Sequence, residues 1–258
     1  EGSEKFSKFI ETFLDYFRNQ RAALVARYLG KSGKVLDIGC GNGKFLNALG
    51  KKGNFELYGT EMPGKAAERA SKLRKIRLKI GKLNANDFQQ KSFDAITFFQ
   101  VFEHLTEPKN TLNIISKIIK PKGILIMSFP NIDSFQSTLF KGKWLHLDPP
   151  RHLFFFKPKD FFAEMKKYGF KLISQSHYSI EYNPYGMQQS ILNCISKKRD
   201  VLYEHLKGNK EHVEGYSGLN LFLQSMLFKI TFPVFMISDL FESFFKKGAV
   251  PQFVFRKV

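Results

Sequence analysis

The apolar positions of this chain fall first into a helical repeat and then into short runs. Phe6, Phe9, Ile10, Phe13, Leu14 and Phe17 recur three and four residues apart, which predicts an amphipathic helix over residues 6–29 that Gly30 ends. From Lys34 the pattern becomes apolar strands alternating with helices. Strands are expected at residues 35–38, 56–60, 76–80, 95–99 and 124–129, with helices from about residue 44, over about 64–75 and over about 108–119. Such alternation implies a parallel sheet with helices on both faces. A helix over 159–168 that stops at Gly169, a strand over 170–176 and a last strand over 252–256 complete the pattern.

Two stretches interrupt it. Residues 130–157, with Pro130, Pro149 and Pro150, read as an irregular lid or substrate wall. Residues 185–248 are too long for an ordinary connection and read as a helical insertion. Within the insertion, Leu219, Phe222, Leu223, Met226, Leu227 and Ile230 predict one apolar helix, and Pro233 is expected to break it. Val234, Ile237, Phe241, Phe244 and Phe245 predict a second helix. Lys229, Pro233, Asp239 and Glu242 are expected to keep the pair from spanning a membrane. The two helices either cover the sheet or dock on a membrane surface, a lipid-linked acceptor or a second subunit. The expected organisation is a helical lead-in over 1–33, a main domain over 34–184 with 249–258, and the insertion over 185–248.

The densest chemistry lies after the first strand, in Asp37-Ile38-Gly39-Cys40-Gly41-Asn42-Gly43. A glycine loop at the carboxyl end of a strand, opening a helix, is where open α/β sheets bind ligands. Glycine lets backbone N–H groups touch the ligand and adopts the dihedrals of the turn. Asp37 suits a ligand ammonium and would repel a pyrophosphate. Glu61, at the end of the next strand, is placed for two ribose hydroxyls.

Together with Ser92-Phe93-Asp94-Ala95-Ile96 and Phe102-Glu103-His104-Leu105, these residues resemble the class I S-adenosylmethionine-dependent methyltransferases at four landmarks in order. The resemblance runs from about residue 34 to 176 and resumes at the last strand. It implies an α/β fold: a doubly wound, mostly parallel seven-stranded sheet with an antiparallel last strand, an N-terminal helix and a helical insertion before that strand. It implies S-adenosylmethionine as cofactor, with Asp37, Gly39, Cys40, Gly41 and Gly43 at the methionine part and Glu61 at the ribose. Met62 would flank the adenine and the Leu83–Asn84 segment would meet its edge, with Phe99 and Gln100 as further cofactor-binding candidates. A nicotinamide-dependent oxidoreductase is the competing reading. The G-x-G-x-G spacing, the preceding aspartate and the end strands oppose it.

Methyl transfer needs alignment of the acceptor and, for a hydroxyl, a proton acceptor. His152, His104 and Glu103 are the candidate catalytic residues. Trp144 and Phe154 to Phe156 are candidates for the acceptor wall. In one branch of the family a glutamate–histidine pair joins a later histidine at a divalent metal. Here Gln100 stands where that branch has a second carboxylate, so no metal is expected. Asp148-Pro149-Pro150-Arg151-His152-Leu153 resembles a bacterial subgroup acting on small molecules, the cell envelope or glycans. The expected reaction is O-methylation of a small-molecule, glycan or lipid-linked acceptor, with nitrogen and carbon left open as acceptor atoms because nothing in the sequence fixes them.

Composition adds less. Forty-one Lys and Arg against 23 Asp and Glu give +18, a field that attracts an anionic membrane surface, an acidic substrate or nucleic acid. An RNA methyltransferase is the less favoured enzymatic reading, since no RNA-binding motif is visible. A cofactor-binding scaffold without turnover is the rival from another class. Cys40 and Cys194 are isolated, and Glu1-Gly2-Ser3-Glu4 shows no basic and apolar leader, so a cytoplasmic protein, at most at the inner face of the membrane, is expected.

Overall fold

The structure, a computed structural model, describes residues 8–206 and 208–258; Phe6 of the expected first helix lies outside them. The elements run α1 (Lys8–Leu29), β1 (Ser32–Ile38), α2 (Lys44–Gly50), β2 (Asn54–Glu61), α3 (Lys65–Ser71), β3 (Ile76–Ile80), β4 (Phe93–Phe99), α4 (Pro108–Ile118) and β5 (Ile119–Ser128). They continue with α5 (Phe135–Phe140), α6 (Pro158–Lys167), β6 (Phe170–Ser176), α7 (Asn183–Ile195), α8 (Val201–Leu206), α9 (Gly218–Phe244) and β7 (Gln252–Lys257). The described residues divide into two compact units, one of residues 15–129, 158–175 and 252–258, the other built from residues 8–14, 130–157 and 176–251. The stretch after β5 thus groups with the helices of 176–251, and α1 from Asp15 onward with the sheet.

The first unit holds one seven-stranded sheet in the order β3-β2-β1-β4-β5-β7-β6. β1 pairs in parallel with β2 and β4, β2 with β3, and β4 with β5, whereas β7 lies antiparallel to β5 from Ile124↔Arg256 to Ser128↔Gln252. The central strands are apolar on both faces because both faces are covered, and Leu36, Ile96, Leu125 and Ile126 are all fully buried. Gly30 ends α1 in the left-handed region at φ 77°, its N–H donating to Ala26 O at 2.8 Å. From β1 the chain crosses to β2 and β3 on one side and then returns to β4 on the other. The reversal leaves a crevice at the carboxyl ends of β1 and β4, and the glycine loop leaves β1 there.

The second unit is helical, and two expectations change in it. Residues 130–157 are not wholly irregular. They carry α5, whose first turn is capped by Ser134 Oγ accepting from Ser137 N–H at 3.0 Å, and two short 3-10 turns at Lys141–Lys143 and Leu145–Leu147. Trp144 between those turns is fully buried and packs with Ala249 and Val250. It is a core residue rather than an acceptor wall. The second change concerns Pro233, which does not split the insertion into two apolar helices, since α9 runs continuously through it. Proline removes one donor from the ladder and frees the carbonyl of Lys229. Pro233 and Lys229 are both exposed, so that loss is not sealed in a core.

Candidate active site

The glycine loop is shaped by three glycines with three different constraints. Gly39, Gly41 and Gly43 all have positive φ, at 70°, 56° and 74°. A Cβ on Gly39 would stand 2.5 Å from Val101 Cγ2, and one on Gly43 would stand 2.9 Å from Leu73 Cδ1. A Cβ on Gly41 would meet nothing within 4 Å. Packing therefore explains the outer two glycines, and the middle one borders an open cradle. The N–H groups of Gly39 and Cys40 both donate to Thr60 O at 2.9 Å, which ties the loop to the end of β2. Gly59 gives way to the Cys40 side chain, as a Cβ there would lie 2.7 Å from Sγ. Cys40 is consequently buried, and burial pushes its thiol well up. Its side chain packs against Gly59.

Asp37 and Glu61 are the two acids at this edge. Asp37 is buried and pairs in register with Thr97 on β4, whose hydroxyl donates to Asp37 Oδ1 at 2.6 Å. Burial pushes the Asp37 carboxyl up to about 7; the Thr97 bond and the Arg21 guanidinium work against that rise, and Glu61 adds to it. Glu61 is half-buried, and its Oε2 accepts from Gly41 N–H at 2.6 Å while Oε1 accepts from Met62 N–H at 3.0 Å. Two carboxylates and an open glycine cradle thus converge at one strand edge. That donor set fits a ligand with a cationic amino group and vicinal hydroxyls.

The remaining candidates of this unit lie around it. Met62 is 52% exposed. Gly81 N–H donates to Glu61 O at 2.8 Å, so the loop carrying half-buried Leu83 and exposed Asn84 starts beside Glu61. Asn84 N–H donates to Asp87 Oδ2 at 2.5 Å, and Asp87 also pairs with Lys79. Phe99 meets Phe45 edge-on at 5.1 Å and carries the Arg21 guanidinium over its ring at 5.0 Å. Gln100 adopts φ 57°, its N–H donating to Ser128 O at 3.0 Å and its Nε2 to Ser128 Oγ at 3.3 Å. His104 closes a short turn, N–H to Val101 O at 3.0 Å. Glu103 is fully buried, neither carboxyl oxygen has a hydrogen-bond partner among the described residues, and burial pushes it up to about 8.

His152 belongs to the helical unit. Its Nδ1–H donates to His146 O at 2.8 Å, and its Nε2 stands 3.9 Å from Asp148 Oδ2. Holding the proton on Nδ1 leaves Nε2 as the basic nitrogen of the neutral ring. His146 itself is pushed down to about 3, first by burial and then by His152, and so stays neutral.

Three residues of the sheet unit escaped the sequence reading. Thr97 is a polar residue in an otherwise apolar strand, a signal that register with Asp37 makes meaningful. Arg21 sits on the helical lead-in and carries no motif. Val101 has no sequence signal, because only the fold sets it against Gly39.

A family profile described as a methyltransferase domain matches residues 9–175. The chain is 23% identical over 202 residues to the ubiquinone biosynthesis O-methyltransferase of Alkalilimnicola ehrlichii, covering 72% of this chain and 79% of that one. It is 27% identical over 188 residues to the enzyme of the same name from Azoarcus sp., covering 66% and 75%. Other relatives of that name match over about half of their length. Among solved structures, the YcgJ protein of Bacillus subtilis superimposes with a TM-score of 0.55 at 15% identity, covering 92% of this chain and 97% of that one. Phosphoethanolamine N-methyltransferase 2 of Haemonchus contortus, in complex with S-adenosyl-L-methionine, superimposes with a TM-score of 0.57 at 14% identity, covering 93% and 52%. At these identities the structural likeness speaks for the fold.

Proposed function

The chain belongs to the S-adenosylmethionine-dependent methyltransferases, and we propose that it methylates an oxygen of its small-molecule acceptor, of glycan or lipid-linked kind. S-adenosylmethionine supplies an electrophilic methyl group on a cationic sulfonium. Asp37 would accept a hydrogen bond from the ammonium of its methionine part, and Glu61 from both ribose hydroxyls. Gly41 leaves room for the ligand to approach the backbone, Met62, Leu83 and Asn84 are the proposed neighbours of the adenine, and Phe99 and Gln100 are further proposed cofactor contacts. The observation that carries the cofactor reading is the Glu61 carboxylate held against Gly41 N–H, at the same edge as buried Asp37.

Oxygen as the acceptor atom is supported by the relatives in the ubiquinone pathway, which are named O-methyltransferases. A hydroxyl must lose its proton as the methyl group arrives, and His152 is the proposed proton acceptor through Nε2. Its Nδ1–H bond to a carbonyl fixes the ring and its tautomer. Glu103 is assigned a positioning role, because burial raises its carboxyl and favours the neutral form, and His104, beside it in the same short turn, is assigned one with it. Incubation with methyl-labelled cofactor and fractionated cell extract tests the acceptor. Label in a small-molecule or lipid extract, as a base-stable ether, supports the reading. Label confined to RNA or protein sinks it.

A further inference from the structure

The last long helix is built with its polar side inward. On α9 the buried residues are Leu221, Gln224, Asp239 and Glu242, three of them polar or charged. Each polar one has partners within the helical unit. Asp239 Oδ1 accepts from Asn183 Nδ2 at 2.6 Å and Oδ2 from Ser179 N–H at 3.0 Å. Glu242 accepts from Gln136 Nε2 at 3.3 and 3.4 Å and from Ser238 Oγ at 3.3 Å. Gln224 donates to Asn220 at 2.7 Å, and Gln188 of α7 donates to Phe228 O and to Thr231 Oγ1 at 2.8 and 2.6 Å. The opposite side is apolar and bare. Leu219, Phe222, Ile230, Ile237, Phe241 and Phe244 are between 58% and 81% exposed.

A soluble helix places its apolar stripe against the core and its charges in water. Here the arrangement is reversed over 27 residues, about 40 Å of helix. An uncovered apolar surface of that length is well beyond the scattered exposed hydrophobes that need no explanation. The family match ends at residue 175, so α9 lies outside what the shared domain requires.

The charges identify what covers the face. Both acids of α9 are turned inward, and the exposed charged side chains along and just after it are Lys229 and Lys246. A second copy would bring lysine against lysine between two chains that each carry +18. A nucleic acid would find aromatic and aliphatic side chains where it needs donors. An anionic lipid surface satisfies both features, hydrocarbon for the apolar face and phosphate for the lysines. By length and composition α9 is able to cross a membrane. Its inward face argues against that, because Asp239 and Glu242 are held by polar groups of the same unit and cannot face hydrocarbon.

We propose that α9 is an interfacial membrane anchor, lying in the plane of an anionic bilayer with its Phe-rich face in the lipid and its Asp239–Glu242 face on the protein.

Flotation of the full chain with phosphatidylglycerol-containing and with pure phosphatidylcholine vesicles tests this. The expected result is binding about tenfold stronger to the anionic vesicles, an excess that ~0.5 M salt removes, with release by alkaline carbonate. A triple variant, Phe222→Ser, Ile237→Ser and Phe241→Ser, should lose flotation while keeping its helical circular dichroism and its S-adenosylmethionine affinity, since all three side chains are exposed. The cofactor titration is read on the same samples, so failure of the cofactor assignment is distinguished from failure of the anchor. No flotation, equal flotation on neutral vesicles, carbonate-resistant insertion, or a stable dimer that hides the face from vesicles would each overturn the proposal.

Discussion

The backbone N–H of Gly41 donates to the Glu61 carboxylate at 2.6 Å, joining the glycine loop to the end of the neighbouring strand twenty residues later. A side chain that orders the loop and is also the proposed ribose acceptor has two functions that substitution separates. Glu61→Gln keeps an acceptor oxygen for Gly41 and removes the charge, whereas Glu61→Ala removes both. Calorimetry should show S-adenosylmethionine affinity falling about tenfold or more for the alanine variant, as expected for a charge-assisted hydrogen bond of ~1.5 to 3 kcal/mol. The glutamine variant should fall between. Wild-type affinity in Glu61→Ala would remove Glu61 from the site.

Asp37 gives a pH dependence of definite sign. Burial raises its carboxyl to about 7 from an ordinary 3.8. A raised acid favours the folded state fully below about 4, and the contribution is lost as pH rises through about 7. Glu103, raised to about 8, acts in the same direction. The stability these two carboxyls confer should therefore fall between about pH 5 and 8, read for Asp37 as the pH dependence of the melting-temperature difference between the ligand-free protein and its Asp37→Asn variant. A cationic ammonium favours ionised Asp37, so the melting-temperature gain given by S-adenosylmethionine should grow over the same interval. Asp37→Asn should flatten that growth; a gain that shrinks with pH would contradict the assignment.

The glycines should respond differently to the same substitution. Gly41→Ala meets no neighbour and carries the left-handed penalty of ~1 to 2 kcal/mol. Gly39→Ala adds a collision with Val101, another ~1 to 3 kcal/mol of overpacking. Thermal melts should rank Gly39→Ala as the less stable. Calorimetry should show Gly41→Ala weakening cofactor binding beyond its modest effect on stability. Equal melting temperatures would mean that Val101 moves aside freely.

The sequence exposed the sheet because each strand is a short apolar run flanked by glycine or a helix repeat, and the observed strand positions fall within a few residues of those runs. Asp37 and Glu61 were legible for a related reason, since a glycine loop after the first strand and an acid closing the next strand at Gly59-Thr60-Glu61 are visible in one dimension. Thr97 and Arg21 were not, because a cross-strand register and a helix laid on the sheet are set by packing. The helical unit was hardest to read. The stripe from Leu219 to Phe244 shows the same three-and-four periodicity whether it is buried or exposed, and only the fold shows that Asp239 and Glu242 turn inward in its place. Pro233 misled for a local reason, as an exposed proline can sit within a helix.

His152 is proposed as the proton acceptor, and its effect should be confined to turnover. His152→Ala should lower kcat about 100-fold or more and leave S-adenosylmethionine affinity unchanged. The pH profile of the residual rate should lose its acidic limb. Turnover at the wild-type level in the variant would return His152 to a structural role at His146 O and Asp148.

Asn183 connects the segments of the helical unit, and its loss should be felt by all of them. It is fully buried. Its Nδ2 donates to Asp239 Oδ1 at 2.6 Å and to His177 O at 3.0 Å, and its Oδ1 accepts from Val250 N–H at 2.9 Å. Its backbone carbonyl also accepts from Gln136 Nε2 at 2.9 Å, the same amide that reaches Glu242. Asn183→Ala leaves an acid, a carbonyl and an N–H without that partner in a buried setting, and each unsatisfied group costs about 1 to 3 kcal/mol. Asp239 then keeps only Ser179 N–H among its side-chain oxygen bonds, and burial, which already raises it to about 6, weighs more heavily on its charged form. The variant should melt several degrees lower, and the deficit should widen from about pH 5 to 8 as Asp239 is forced to ionise without Asn183. Hydrogen exchange locates the loss: amides of α7 and α9 should lose protection together, because this asparagine joins the two helices through Asp239, while amides of β1, β4 and β5 keep theirs. Loss of protection limited to the residues flanking position 183 would mean that α9 is held by its other contacts with α7 and that the Asn183–Asp239 pair contributes little.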